Sequence, residues 1–189
     1  MNGNQSRDRE GVGIHHQKDD REGVDGSLTL PALTEGEARR IKLGLVCSHG
    51  GHLAEMMELI DAFRDFDLFF VTYRGGRAQE LAQTYHVYAL GNIGYSPRRL
   101  LLALPAARRI LRCECPQALV STGSEIAIPF FVAAKALGVR TVFVESWCRV
   151  RSRSGTGRVL YPLADRFFVQ WPQMVAVYGP KARYAGGLL

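Results

Sequence analysis

The chain has 189 residues, 47% of them hydrophobic, and a formal net charge of +6. That length gives one ordinary domain with chain to spare, and the longest apolar runs, Leu100 to Ala107 and Ile126 to Ala134, fall well short of the ~20 residues that cross a bilayer, which excludes a transmembrane helix. The four cysteines (Cys47, Cys113, Cys115, Cys148) make no CxxC pair and follow no signal peptide, which excludes a secreted disulfide scaffold and points to reduced, cytosolic thiols.

Met1 to Arg40 is rich in Gly, Asp, Arg, Asn and Gln and holds six basic and eight acidic side chains. Such a composition cannot bury a core, and a disordered leader is expected over residues 1–40. Ile41 to Leu189 holds eighteen basic and ten acidic residues, so the basic surplus belongs to the folded part. It implies an anionic partner: phosphates, an acidic membrane surface or nucleic acid. No motif supports nucleic acid, which is not expected as a partner.

Ile41 to Phe63 is the stretch around which the rest is organised. Ile41, Leu43, Leu45 and Val46 suit a buried parallel strand. Leu53, Met56, Met57, Ile60 and Phe63 then recur at helical spacing, with Glu55, Glu58 and Asp61 on the opposite face. Between them lie Ser48, His49, Gly50 and Gly51, a turn whose free backbone N–H groups and helix dipole favour an anion. The turn is neither GxGxxG nor a Walker loop, and the next strand, Leu68 to Tyr73, ends in Thr72 and Tyr73 where a ribose needs Asp or Glu. An NAD-dependent epimerase or reductase is therefore disfavoured, and no cofactor is expected. Cys47 reads as a buried strand terminus. Cys113-x-Cys115 lacks further metal ligands, so no metal is expected either.

Downstream, Gly75 to Tyr85 is a short helix, His86 to Leu90 a third strand and Gly91 to Ser96 a loop. Pro97 opens a helix at the position proline prefers, with Leu100, Ala103, Leu104, Ala107, Ile110 and Leu111 as its apolar stripe. Leu101 and Leu102 fall instead among Arg98, Arg99, Arg108, Arg109 and Arg112. That mixture suits a helix lying on anionic lipid as well as an ordinary packing helix with a solvated basic face. Pro105 should kink it. Ala118 to Gly123 is a fourth strand, with Ser124 as N-cap of an all-round apolar helix, Glu125 to Leu137, stopped by Gly138. Thr141 to Ser146 is a fifth strand ending in Glu145. Trp147 to Gly157 is an arginine-bearing loop, Arg158 to Leu163 a short helix, Arg166 to Trp171 a sixth strand and Met174 to Tyr178 a helical turn. The alternation gives an α/β class, a Rossmann-like parallel sheet with helices on both faces. Ligands of such sheets bind beyond the carboxyl ends of the strands, where the turns Ser48 to His52, Thr122 to Glu125 and Glu145 to Arg153 lie.

The segments CSHGGHLAEM, STGSEIAIPFF, VES and YPLADRFFVQW resemble the polysaccharide-biosynthesis glycosyltransferase subunits of bacteria. They also resemble the membrane-associated subunit of the two-part transferase that adds the second GlcNAc to dolichol-diphosphate-GlcNAc. The resemblance covers essentially Ile41 to Leu189, and the same segments look like the amino-terminal, acceptor-binding half of the transferase that makes lipid II. It implies one GT-B amino-terminal half domain over residues 41–189. Ser48, Gly50, Gly51, Thr122, Gly123 and Ser124 would face the acceptor diphosphate, with STGSE departing from the glycine-glycine-aromatic run of that enzyme. A separate donor-binding subunit would bring the UDP-sugar, the acceptor would be a polyprenyl-diphosphate-sugar, and the product would feed exopolysaccharide or capsule oligosaccharide assembly. The chain stops about where a linker to a second domain would begin, so the expectation is a peripheral heterodimer subunit at the cytoplasmic face of the inner membrane, inactive alone. Arg98, Arg99, Leu101, Leu102, Arg108 and Arg109 would meet the membrane. Inverting transfer needs a base, and His52 and Glu145 are the candidates. His52 could instead serve the phosphate or the helix end, and Glu145 could pair with Arg149 or Arg151. His49 is a weaker candidate base. The rival from another class is a non-catalytic membrane anchor that recruits a self-sufficient glycosyltransferase.

Overall fold

The structure, a computed structural model, describes residues 40–188. Apart from Arg40, the expected leader lies outside the described residues. Seven strands form one sheet: β1 (Lys42–Val46), β2 (Asp67–Tyr73), β3 (His86–Leu90), β4 (Ala118–Ser121), β5 (Arg140–Val144), β6 (Arg166–Val169) and β7 (Ala182–Tyr184). Every neighbouring pair is parallel, in the order β3-β2-β1-β4-β5-β6-β7. The helices are α1 (Gly51–Met57), α2 (Gly76–Leu81), α3 (Pro97–Glu114), α4 (Ala127–Leu137), α5 (Gly155–Leu160) and α6 (Gln173–Tyr178).

Strand residues alternate between two cores, as the pleat requires. On one face Val46, Phe69, Val71, Leu119, Phe143 and Phe167 pack with α3 and α4. On the other, Leu43, Leu45, Phe70 and Val120 pack with Leu53 and Met56 of α1 and Leu81 of α2. Phe69, Phe70, Phe130, Phe131, Phe143 and Phe167 are fully buried, each contributing about 1.5–3 kcal/mol of transfer free energy. The expected class, a Rossmann-like parallel sheet with helices on both faces, is the architecture observed.

Several local expectations are corrected. The first helix does not run to Phe63. It ends at Met57, and a 3-10 turn, Ile60–Phe63, brings Leu59, Ile60 and Phe63 onto the second core. Ser124 is not an N-cap: its φ is 74°, its hydroxyl donates to Glu125 (2.7 Å), and α4 starts at Ala127. The helix expected from Arg158 starts at Gly155, because Ser154 accepts from the Gly157 N–H (2.8 Å) and caps it there. β7 escaped the sequence reading because three residues are too few to show alternation. α3 continues through Pro105 as one 18-residue helix. Ala107, Ile110 and Leu111 are buried, while Leu101 and Leu102 stand 66% and 68% exposed among the arginines, as their position in the sequence pattern requires. Among the described residues, no helix is long and apolar enough to cross a membrane.

Candidate active site

The chain leaves β1 toward β2 and β3, and α3 carries it back to β4 on the other side of β1. The turns after β1 and β4 therefore diverge around a switch point, where doubly wound sheets open a crevice. Here the crevice is bridged by three close contacts. Thr122 donates its hydroxyl to the His52 carbonyl (2.6 Å), His52 Nδ1 lies 3.0 Å from the Thr122 carbonyl, and the imidazole covers Gly123. A carbonyl only accepts, so Nδ1–H makes that bond, and in the neutral imidazole the lone pair is then on Nε2. A Cβ on Gly123 would sit 2.5 Å from His52 Cε1, and φ at Gly123 is 135°. Both close approach and backbone conformation demand glycine there. Gly123→Ala is expected to destabilise the fold by about 1–3 kcal/mol and to displace His52. Gly51→Ala, with open space around its Cβ, should be near neutral in stability. Equal melting temperatures for the two variants would contradict this.

The third turn is built around Glu145, which is 1% exposed. Its carboxylate accepts from the Ser146 N–H (3.0 Å), the Ser154 N–H (3.3 Å), the Ser154 hydroxyl (3.0 Å) and the Tyr178 hydroxyl. Gln170 donates to the Glu145 carbonyl (3.0 Å). Burial, then the bond to Glu145, pushes the Tyr178 phenol far up, so it stays a donor. Glu145 thus ties both ends of the loop to α6. It forms no ion pair with Arg149 or Arg151 among the described residues and does not line the cleft. Arg153 instead donates to the Val177 carbonyl (2.8 Å) and lies over the Tyr178 ring.

All three turns close on one cleft of about 510 Å³. Gly51, His52, Gly123 and Ser124 line it. So do Ser146, Trp147, Cys148 and Arg149 from the third turn. Thr122 is fully buried, and Thr122, Ser48 and Gly50 are not among the residues that line the cleft; Ser48 and Gly50 precede α1 in the first turn. The α3 residues Arg98, Arg99, Leu101, Leu102, Arg108 and Arg109 do not line the cleft. At the end of β2, Tyr73 donates to Glu125 (2.8 Å), whose other oxygen takes the Ser124 hydroxyl. Burial pushes Glu125 up, but these bonds outweigh it and hold the carboxyl below its usual range. The strand end that lacks a ribose-binding acid therefore props the second turn. Cys47 is buried, and burial pushes its thiol up to about 12, so it stays protonated.

Among the lining residues that lie outside the three expected turns are Glu55 and Tyr95. Glu55, expected on the solvent face of its helix, is 5% exposed. Its Oε1 accepts from the Ser146 hydroxyl (2.6 Å) and the Trp147 N–H (3.2 Å), joining α1 to the third turn. The His-x-x-Glu spacing, which stacks both side chains on one helix face, was the available signal. Burial raises the Glu55 carboxyl above its ordinary 4.5, against the bonds from Ser146 and Trp147 and the nearby His52. The folded state thus holds this proton more tightly than the unfolded chain, and the group costs stability as pH rises from 4.5 through the raised value. Glu55→Gln removes that cost. The melting temperature of the variant relative to the parent is expected to rise as the pH climbs from 4.5 through the raised value, and a flat or falling difference would refute the assignment.

A parallel sheet of this order, with its crevice at the switch point, is a Rossmann-like fold, and solved structures share it as one half of a longer chain. Over 77% of its length the chain superposes on 45% of Acinetobacter baumannii MurG, with a TM-score of 0.63 at 18% identity. Over 78% it superposes on 47% of the UDP-GlcNAc 2-epimerase from Neisseria meningitidis (TM-score 0.60, 11% identity). Within that class the particular family follows from sequence: residues 77–188 match the family described as "Oligosaccharide biosynthesis protein Alg14 like", and the chain belongs to it. It is similar to the human UDP-N-acetylglucosamine transferase subunit ALG14, 30% identical over 141 residues, covering 70% of this chain and 61% of the relative. The rat subunit of the same name is 29% identical, covering 64% and 54%, and that of Eremothecium gossypii 28%, covering 74% and 76%. The chain thus spans little more than half the length of the two mammalian relatives. The family match starts after the first turn, so the position of His52 rests on geometry.

Proposed function

We propose that the described domain is the acceptor-binding part of a two-chain glycosyltransferase. The observation that carries this reading is the convergence of three crossover turns on one polar cleft at the switch point of an Alg14-family chain. A separate chain supplies the UDP-sugar, and the acceptor is a sugar on a polyprenyl diphosphate, destined for exopolysaccharide or capsule. Backbone N–H groups around Gly50 and Gly51, with Gly123 and Ser124 opposite, hold the diphosphate, and Thr122 braces that wall from behind through its bond to the His52 carbonyl; open space surrounds Gly50 and Gly51, and among the described residues no side chain caps α1. The acceptor hydroxyl attacks the anomeric carbon, its proton passes to His52 Nε2, and UDP departs with the bonding pair on the partner chain. Glu145 positions the loop and takes no proton. Co-expression with a donor-binding partner should give transfer from UDP-sugar to polyprenyl-diphosphate-sugar in membranes. Transfer by this chain alone, or none with any such partner, would refute the proposal.

The exposed Leu101 and Leu102, set among Arg98, Arg99, Arg108 and Arg109 on α3, form the surface that meets anionic lipid at the cytoplasmic face of the membrane. Leu101→Asp with Leu102→Asp is expected to abolish flotation with phosphatidylglycerol vesicles while changing stability by no more than about 0.5 kcal/mol. Unaltered flotation would assign α3 to another surface.

A further inference from the structure

Buried carboxylates in native proteins are bonded, and an open one calls for a partner. Glu55 Oε1 is taken by Ser146 and Trp147, but Oε2 has no hydrogen-bond partner among the described residues. A carboxylate oxygen only accepts, so the missing partner is a donor. No group of three metal ligands accompanies it among the described residues, and Glu55 makes no ion pair there.

The surroundings define the donor. The cleft that Glu55 lines is walled by Tyr95 and Trp147, and Ser124, Ser154 and Thr156 add hydroxyls. Trp147 is preset: it stacks on Trp171 at 6.1 Å, and Trp171 Nε1 donates to its carbonyl. Tyr95, 64% exposed, is pinned through its hydroxyl to Thr156 (3.2 Å). Aromatic faces beside hydroxyl-rich edges fit a pyranose ring, apolar on its C–H face and donor-bearing on its rim. A buried acid also repels phosphate, which sends a diphosphate to the glycine turns and leaves the sugar beside Glu55.

We propose that Glu55 is the specificity-determining residue that receives a hydroxyl or amide N–H of the acceptor sugar, with Tyr95 and Trp147 as the walls of that subsite. The proposal rests on reading the cleft as the acceptor site. The test measures binding by the full chain alone, without transfer. Geranyl diphosphate carrying glucose, galactose, N-acetylglucosamine or N-acetylgalactosamine is titrated by calorimetry, and the tightest ligand is retained with its monodeoxy and deacetamido analogues. Glu55→Gln keeps an acceptor for Ser146 and Trp147 but presents an NH₂ donor where an acceptor is needed, and should weaken binding roughly 10–100-fold. One analogue, the one lacking the matched donor, should bind parent and variant alike, and which one it is separates hydroxyl from amide recognition. If Trp147→Ala weakens binding while Glu55→Gln does not, the cleft reading stands and the role given to Glu55 is overturned. If no sugar diphosphate binds the parent, both are overturned. A melting temperature for Glu55→Gln no lower than the parent's excludes unfolding as the cause of lost binding.

Discussion

Glu145→Ala is expected to lower the unfolding free energy by about 3–5 kcal/mol, a fall in Tm of roughly 6–20 °C for a domain of this size. The acid is buried and accepts bonds from Ser146, both Ser154 groups and Tyr178. Truncation strands those donors in a dry site and removes the link between the third turn and α6. Space there is already exhausted: a Cβ on Gly157 would meet the Tyr178 oxygen at 2.2 Å and Glu145 Oε2 at 2.4 Å. Tyr178→Phe, which removes one donor, should cost about 0.5–1.5 kcal/mol. Thermal unfolding of the two variants decides the role. A Glu145→Ala protein that melts like the parent yet transfers no sugar would make Glu145 the base and displace His52.

His52→Ala is expected to slow transfer by the reconstituted pair about 10²–10⁴-fold, the usual worth of a positioned general base. Its stability cost should stay near 1 kcal/mol, since one side-chain bond, to the Thr122 carbonyl, is lost. The fall should appear in kcat more than in the acceptor KM, because the proton moves only in the transition state. His49, which stands edge-on to Tyr73 at 6.3 Å, is the internal control, and His49→Ala should retain most of the rate. Equal losses from both histidines would point to the turn as a whole and remove Nε2 of His52 from the mechanism.

Strands that are buried on both faces announce themselves: β1 and β2 lie within a residue of their expected spans, and the half-exposed β3 was legible from its alternation instead. The turns that converge on the cleft were legible for the same reason: Gly50, Gly51 and Gly123 interrupt otherwise apolar runs. Side-chain direction was not legible. Glu55 looked like a surface acid because helical spacing alone sets only relative faces, and the third turn that buries it lies some ninety residues away in sequence. Glu145 was legible as a strand-end acid, but donors of its ring come from Ser154, at the far end of the loop, and from Tyr178 on α6. Such partners become neighbours only through the sheet order.

The crossover helix α3 has one more consequence. It begins two residues after Tyr95, on the rim of the cleft, and its 18 residues extend about 27 Å. Because it also carries the chain from β3 to β4, it cannot tilt without disturbing the middle of the sheet. With its leucines seated in a bilayer, the mouth of the cleft would stand at a fixed height above the headgroups. Substrate would then arrive by a two-dimensional search along the leaflet, and turnover would follow the surface density of carrier lipid rather than its bulk concentration.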